Sequence, residues 1–350
     1  MTDLFGRTID YLRVSVTDRC NFRCVYCMPA EGMRFQPMDD GLTLDELGRL
    51  ADAAVRLGVR RVRLTGGEPL VRRDIVGIAR RFKDAGIAEI SLTTNGQLLA
   101  PMVCDLKAAG LNRVNISVDS LKPEVFHRVS RGGDLDTVWQ GVEAALEADL
   151  QPVKINCVAM RGENDAEAAD FAALTIDRPI HVRFIELMPI GGTNVKIAEE
   201  RVIWRSYVGK TESLAPATDV VTGTAALYIP LSDIRARVEE LGPLEPATVS
   251  TAGPARNFRL PGAKGTIGFI SQVSNTACAA CNRMRITPDG MLRPCLMAQG
   301  EVDLRTPLRN GATDEQLEAC FLRALARKPF EHDLAGGHFA SDRTMSQIGG

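Results

Sequence analysis

The sequence predicts an α/β chain built on an incomplete (β/α)6 barrel of the TIM type, followed by a C-terminal extension. Three observations carry this. Six β-like segments alternate with helical ones between residues 12 and 187, the rhythm of a parallel sheet. The early helical segments stop at Gly58, Gly86 and Gly110, as helix C-termini do. The strands alternate polar with apolar positions, so only one face packs on helices. A barrel that is incomplete, and so wider than one filled by side chains, turns the polar face towards ligands.

In order, 12–16 reads as the first strand. Thr43 and Glu46 form a capping box for a helix over 43–57, with Leu44, Leu47, Leu50, Ala51, Ala54 and Leu57 on one face. The second strand, 59–64, closes on Thr65-Gly66-Gly67-Glu68-Pro69. At that strand end the paired glycines let the backbone approach a ligand closely. Helices over 74–85, 98–109, 135–148 and 165–175 then alternate with strands over 89–93, 113–118, 153–158 and 180–187. The polar positions that share strand faces are Arg13 and Ser15; Arg61, Arg63 and Thr65; Asn115, Ser117 and Asp119; and Lys154 with Asn156. Residues 193–226 lose periodicity. Beyond them come a helix over 231–241, a strand over 265–272, a hairpin of 283–287 with 291–293 around Pro288-Asp289-Gly290, and a helix over 314–327. The expected division is a partial barrel over 1–190, an irregular excursion over 191–230, and a C-terminal unit over 231–350 that closes the barrel mouth.

A net charge of −2 gives no global basic field, so nucleic acid is not an expected partner and any anionic substrate must meet local Arg and Lys clusters. No run approaches the roughly 18 apolar residues of a membrane span. Residues 1–13 lack the apolar core of a secretory leader. Nine cysteines, unevenly spaced, fit a reducing cytoplasm better than a disulfide scaffold.

Three of them, Cys20, Cys24 and Cys27, form a C-x3-C-x2-C run after the first strand. A structural zinc ion takes four closed ligands, and no fourth is nearby, since Cys104 and His127 come next. Three thiolates suit a cubane 4Fe–4S cluster with one iron left open. Cys278, Cys281 and Cys295 repeat the arithmetic. A zinc site shared between the triads leaves two cysteines unused, so two clusters are the better count. Cys104, Cys157 and Cys320 fall within helix or strand segments and read as core residues.

The C-x3-C-x-aromatic-C run with Tyr26 as the aromatic residue, followed by Gly66-Gly67-Glu68-Pro69, resembles the radical S-adenosylmethionine superfamily. Thr93-Thr94-Asn95-Gly96, Asn115 to Ser120, Arg183 to Pro189, Cys281-Asn282-Arg283-Met284-Arg285 and the terminal Gly349-Gly350 narrow the resemblance to its GTP 3′,8-cyclase family, across nearly the whole chain. The stretch 193–226 is longer than that family usually carries. The resemblance implies that the first cluster binds S-adenosylmethionine, held also by Gly67, Ser117, Met188 and the backbone at Tyr26. A 5′-deoxyadenosyl radical then takes the 3′ hydrogen of GTP, and C3′ adds to C8 of guanine, which the second cluster's open iron holds. It further implies GTP contacts from Arg13, Arg63, Thr94, Lys154, Arg283 and Arg285, and an active-site tail ending in Gly349 and Gly350. Its implied partners are a flavodoxin- or ferredoxin-like one-electron reductant, the downstream cyclic pyranopterin monophosphate synthase, and a second copy of the chain. The rival enzyme reading is another radical S-adenosylmethionine enzyme with an auxiliary cluster acting on a peptide; the non-enzyme rivals are an iron–sulfur sensor or electron carrier, or a zinc-stabilised binding module.

Overall fold

A computed structural model describes residues 1–30, 32–33, 35–37, 40–188, 226–249, 251, 253–274, 277–298, 300–332 and 343–349. The βα series runs β1 (Tyr11–Ser15), α1 (Leu44–Arg56), β2 (Arg61–Thr65), α2 (Ile75–Asp84), β3 (Glu89–Thr94), α3 (Val103–Ala108) and β4 (Leu111–Ser117). Two helices follow, α4 (Pro123–Ser130) and α5 (Leu135–Glu147), then β5 (Val153–Ala159), α6 (Ala168–Asp177) and β6 (Ile180–Glu186). The C-terminal third holds α7 (Leu231–Glu239), β7 (Glu245–Pro246), β8 (Arg256–Arg259), β9 (Thr266–Ile270), β10 (Arg283–Ile286), β11 (Met291–Arg293) and β12 (Val302–Asp303). It ends with α8 (Arg305–Arg309), α9 (Asp314–Ala326) and α10 (Met345–Ile348). The stretch 193–226 lies outside the described residues except for Ala226.

All strands belong to one sheet, ordered β12-β11-β10-β1-β2-β3-β4-β5-β6-β9-β8-β7. The six sequential strands are the centre, and the barrel is incomplete. The C-terminal third extends both of its edges: β10 pairs parallel with β1, and β9 pairs parallel with β6. Antiparallel strands then finish each margin.

The alternation read from the sequence is a division into two buried layers. Leu12, Val14, Val62, Leu64, Ile90, Leu92, Val114, Ile116, Ile155 and Val182 pack outward into the apolar core with the helices. Between them Ser15, Arg63, Thr65, Ser91, Asn115, Lys154, Asn156, Arg183 and Arg285 are buried as well, on the concave side. The capping box of α1 is made as expected: Thr43 N donates to Glu46 Oε2 at 2.8 Å and Glu46 N to Thr43 Oγ1 at 3.2 Å. Such a cap contributes about 1 kcal/mol. The seam between β6 and β9 is filled by Phe184 stacked on Phe269 at 5.9 Å, with Phe171 and Phe258 edge-on to either side.

The helix α4 was not expected, and it positions the first cysteine loop. Its C-terminal carbonyls, orphaned as at any helix end, accept from that loop: Arg23 N donates to Ser130 O and Val25 N to Val129 O, both at 2.9 Å. Phe126 packs edge-on against Phe22 from the same side. One of the smaller expectations also changes. Cys157 and Cys320 are buried, but Cys104 is exposed on α3. Arg72, just after the Gly66-Gly67 turn, donates to the Val16 carbonyl at 2.8 Å and pairs with Asp74.

Candidate active site

The loop carrying Cys20, Cys24 and Cys27 leaves the C-terminal end of β1 and crosses the end of β2. The turn after β2 explains its own glycines. Gly67 N donates to Thr17 O and Glu68 N to Arg19 O, both at 2.8 Å. A Cβ at Gly67 would lie 2.4 Å from Arg19 O, and one at Gly66 would lie 2.5 Å from Thr17 O. The close approach demanded of these glycines is therefore to the backbone entering the cysteine loop, which fixes that loop against β2.

Glu68 extends the tie to β3. Its carboxylate accepts from Leu70 N, from Thr94 Oγ1 at 2.8 Å and from Asn95 N at 2.6 Å. Asn95 in turn donates to Asn21 Oδ1 at 2.7 Å, inside the cysteine loop. Burial raises the Glu68 carboxyl to about 7 despite those donors. The Thr94 hydroxyl is thus engaged by Glu68. Tyr26 donates to Asp119 Oδ2 at 2.8 Å, and Asp119 Oδ1 accepts from Val158 N at 2.9 Å. The loop is held by the ends of β2, β3, β4 and β5 together.

Burial pushes the Cys20 thiol up to about 11 and the Cys27 thiol up to about 12, and it raises Cys24 as well. Thiols held protonated by burial become ligands only when a metal cation displaces their protons. None of the six triad cysteines is in a disulfide. Among the described residues no three His, Cys, Asp or Glu side chains gather around a single metal-ion position. Each thiolate of a cubane takes its own iron, and each loop offers three thiols. The donor sets fit clusters.

The second triad stands at the other end of the same strands. Cys278 and Cys281 flank a tight turn just before β10, whose first residue, Arg283, is in register with Tyr11 at the start of β1. The first triad follows the end of β1, so the two loops are separated along a five-residue strand, about 16 Å at 3.3 Å per residue. Electrostatics differ too. Burial opposes the Cys281 thiolate, but Arg283 and Lys328 outweigh it and bring the thiol down to about 7.

Between the triads runs a row of cations. Arg13 is in register with Arg285 on one side and Arg63 on the other. Lys154 and Arg183 face them from β5 and β6. Arg63 donates to Ser91 at 3.3 Å, Lys154 to Thr251, Arg183 to Asn115 and Asn156, and Arg285 to the Gly349 carbonyl. All of these partners are neutral. Burial and the neighbouring guanidinia bring Arg183 and Arg285 to about 9 and Lys154 to about 6, and they hold Arg13 well below the usual arginine range. A cavity of about 480 Å³ opens at the N-terminal strand ends, lined in part by Arg61, Glu89, Arg113 and Thr251.

A second apolar cluster bridges these parts. Leu187, Tyr228, Val273, Met297 and Ile348 are buried together, with Tyr26, Met188 and Cys295 packed against them. The C-terminal tail therefore lies inside the site: a Cβ at Gly349 would stand 2.8 Å from Thr65 Cγ2 and 3.1 Å from Ser15 Cβ. Gly350 lies outside the described residues. Ser117 ends β4, half-buried, beside the Tyr26–Asp119 contact.

The residues not singled out beforehand are Glu68, Arg183, Glu186 and Lys328. Glu186 is buried and accepts from Tyr228 Oη, Val273 N and Ser274 N. Glu68, Arg183 and Glu186 lay within motifs already read, and Arg183 occupies the same alternating position as Lys154; the sequence around Lys328 carries no signal.

Residues 14–175 match the model of the radical SAM superfamily, and residues 213–334 match that of Molybdenum Cofactor Synthesis C. Proteins named GTP 3′,8-cyclase from Moorella thermoacetica and Desulforamulus reducens are each 47% identical to the chain, over all of both chains. The structure of Streptococcus suis SuiB bound to S-adenosylmethionine superposes with a TM-score of 0.52 at 15% identity, covering 94% of this chain and 74% of that one, which is a likeness of fold.

Proposed function

The chain belongs to the radical S-adenosylmethionine superfamily and, within it, to the GTP 3′,8-cyclases, and from that premise we propose how its residues act on GTP. The product is (8S)-3′,8-cyclo-7,8-dihydroguanosine 5′-triphosphate, in the first step of molybdenum cofactor biosynthesis. The observation that carries the reading is the set Arg63, Arg183 and Arg285, buried between the triads with neutral hydrogen-bond partners among the described residues, and Lys154 beside them. Buried cations need counter-charge, and a triphosphate supplies it in a form that guanidinia bind bidentately. A peptide substrate offers no reason for such a set.

Cys20, Cys24 and Cys27 would hold one 4Fe–4S cluster, and Cys278, Cys281 and Cys295 the other. Gly67, Ser117, Met188 and the Tyr26 backbone would hold S-adenosylmethionine at the first. When bound, that pair supplies the 5′-deoxyadenosyl radical that takes the 3′ hydrogen of GTP, after which C3′ adds to guanine C8. Arg13, Arg63 and Lys154 with Thr94 orient the triphosphate and ribose, and Arg283 and Arg285 hold the nucleotide towards the second triad. Gly349 lies beside Ser15 and Thr65, and the Gly349-Gly350 end of the chain assists the radical step by excluding water from a site where a radical must not be quenched. An external flavodoxin- or ferredoxin-like reductant, hand-over to cyclic pyranopterin monophosphate synthase, a homodimer and a cytoplasmic location complete the reading. Among the described residues no helix is long and apolar enough to cross a membrane.

The test is anaerobic incubation of the reconstituted protein with S-adenosylmethionine, dithionite and GTP. Expected are a cyclised nucleotide and 5′-deoxyadenosine formation that depends on GTP. Equal 5′-deoxyadenosine without GTP, and no cyclised nucleotide, would overturn the reading.

A further inference from the structure

Lys328 follows α9 and is 4% exposed, yet its ammonium meets no carboxylate among the described residues. Its Nζ lies 3.5 Å from Cys281 Sγ and donates to the carbonyls of Arg283 and Pro294, each at 2.8 Å. Those carbonyls flank the triad from both arms, since Arg283 lies two residues after Cys281 and Pro294 immediately precedes Cys295. Arg7, which pairs with Asp3, supports the same loop by donating to Cys278 O at 2.8 Å and to the Pro329 carbonyl next to Lys328.

A buried ammonium is costly unless an anion answers it. Among the described residues the anionic group within its reach is the thiolate of Cys281. Hydrogen bonds and positive charge at the sulfurs of a cluster favour its reduced, more negative state, and contacts around the ligands orient them for loading. We propose that Lys328 is the built-in counter-ion of the second cluster: it raises that cluster's reduction potential and pins the two arms of the triad so that the cluster is retained. It is a positioning residue, since it acts through Cys281, Arg283 and Pro294. The first triad sits differently: the buried carboxylates Glu68 and Asp119 act on its thiols, opposed at Cys20 by Arg23.

The proposal rests on Cys278, Cys281 and Cys295 holding a cluster, which the iron content of the unaltered protein tests separately. The experiment compares Lys328→Met and Lys328→Arg by anaerobic potentiometry followed by electron paramagnetic resonance, with iron counted before and after exposure to a chelator. Expected for Lys328→Met is a second-cluster signal that shifts to lower potential, faster chelator loss of that cluster's iron, and an unmoved first-cluster signal. Lys328→Arg should return the potential towards that of the unaltered protein. An unshifted second-cluster potential with unchanged chelator resistance in Lys328→Met overturns the proposal. If Lys328→Met loads neither cluster, Lys328→Gln decides: it keeps a hydrogen-bond donor without the charge, and a lowered second-cluster potential supports the counter-ion while an unchanged one overturns it.

Discussion

Arg285 donates from Nη1 to the carbonyl oxygen of Gly349 across 2.7 Å, joining the second-triad strand to the last described residue of the chain. The contact places the tail between the ends of β1 and β2, where only glycine fits. Gly349 has a φ of +68°, and a Cβ there would press on Thr65 and Ser15.

Gly349→Ala should therefore lift the tail. A left-handed backbone costs a non-glycine residue roughly 1–2 kcal/mol before any clash is counted. The cyclisation rate is expected to fall about tenfold or more, tenfold being about 1.4 kcal/mol of barrier. Iron content and circular dichroism should stay as in the unaltered protein, because Gly349 supplies no ligand to either triad. Full cyclisation activity would show that the tail's position does not matter.

Lys154 sets a pH dependence. Burial, and then Arg183, Arg113 and Arg63, lower its ammonium from 10.5 to about 6. Between those values the unfolded chain binds a proton that the folded chain does not, so this group makes stability rise with pH across that window. A bound triphosphate favours the ammonium, so GTP binding above pH 6 takes up a proton and weakens as pH rises, by at most about tenfold per unit. Isothermal titration at pH 8 in two buffers of different ionisation heat should reveal the uptake. Lys154→Met should abolish it. Uptake that persists in Lys154→Met would assign the proton elsewhere.

Much of this was legible in the sequence because it is local. The capping box of α1, the alternation that buries Arg63 beside Leu64, and the two cysteine triads all declare themselves over a few residues. What escaped has two causes. The helix α4 has eight residues and only Phe126 and Val129 as buried large apolar side chains, too short a run for periodicity, although it is what holds Arg23 and Val25 of the cysteine loop. The other cause is distance along the chain: the hairpin of β10 and β11 was visible, but its seating beside β1, with Tyr11 against Arg283, depends on partners 272 residues apart. Lys328 belongs to the second kind, since nothing near it in sequence foretells Cys281.

The two triads, set at opposite ends of β1 and β10, should be separable by mutation. Cys281→Ala removes a ligand where Arg283 and Lys328 favour the thiolate, far from the loop that Gly67, Asn95 and Tyr26 tie down. The protein should keep the first cluster, lose about half its iron, and still cleave S-adenosylmethionine reductively, since that chemistry needs only the first triad. Cyclisation should fall by at least about a hundredfold, the order of loss expected when a reactant is no longer held in place. Cys24→Ala should instead abolish both cleavage and cyclisation while keeping the second cluster's iron. The ratio of 5′-deoxyadenosine to cyclised nucleotide measures the distinction: it should rise sharply in Cys281→Ala, and a ratio equal to that of the unaltered protein would mean that the second triad does not position the substrate.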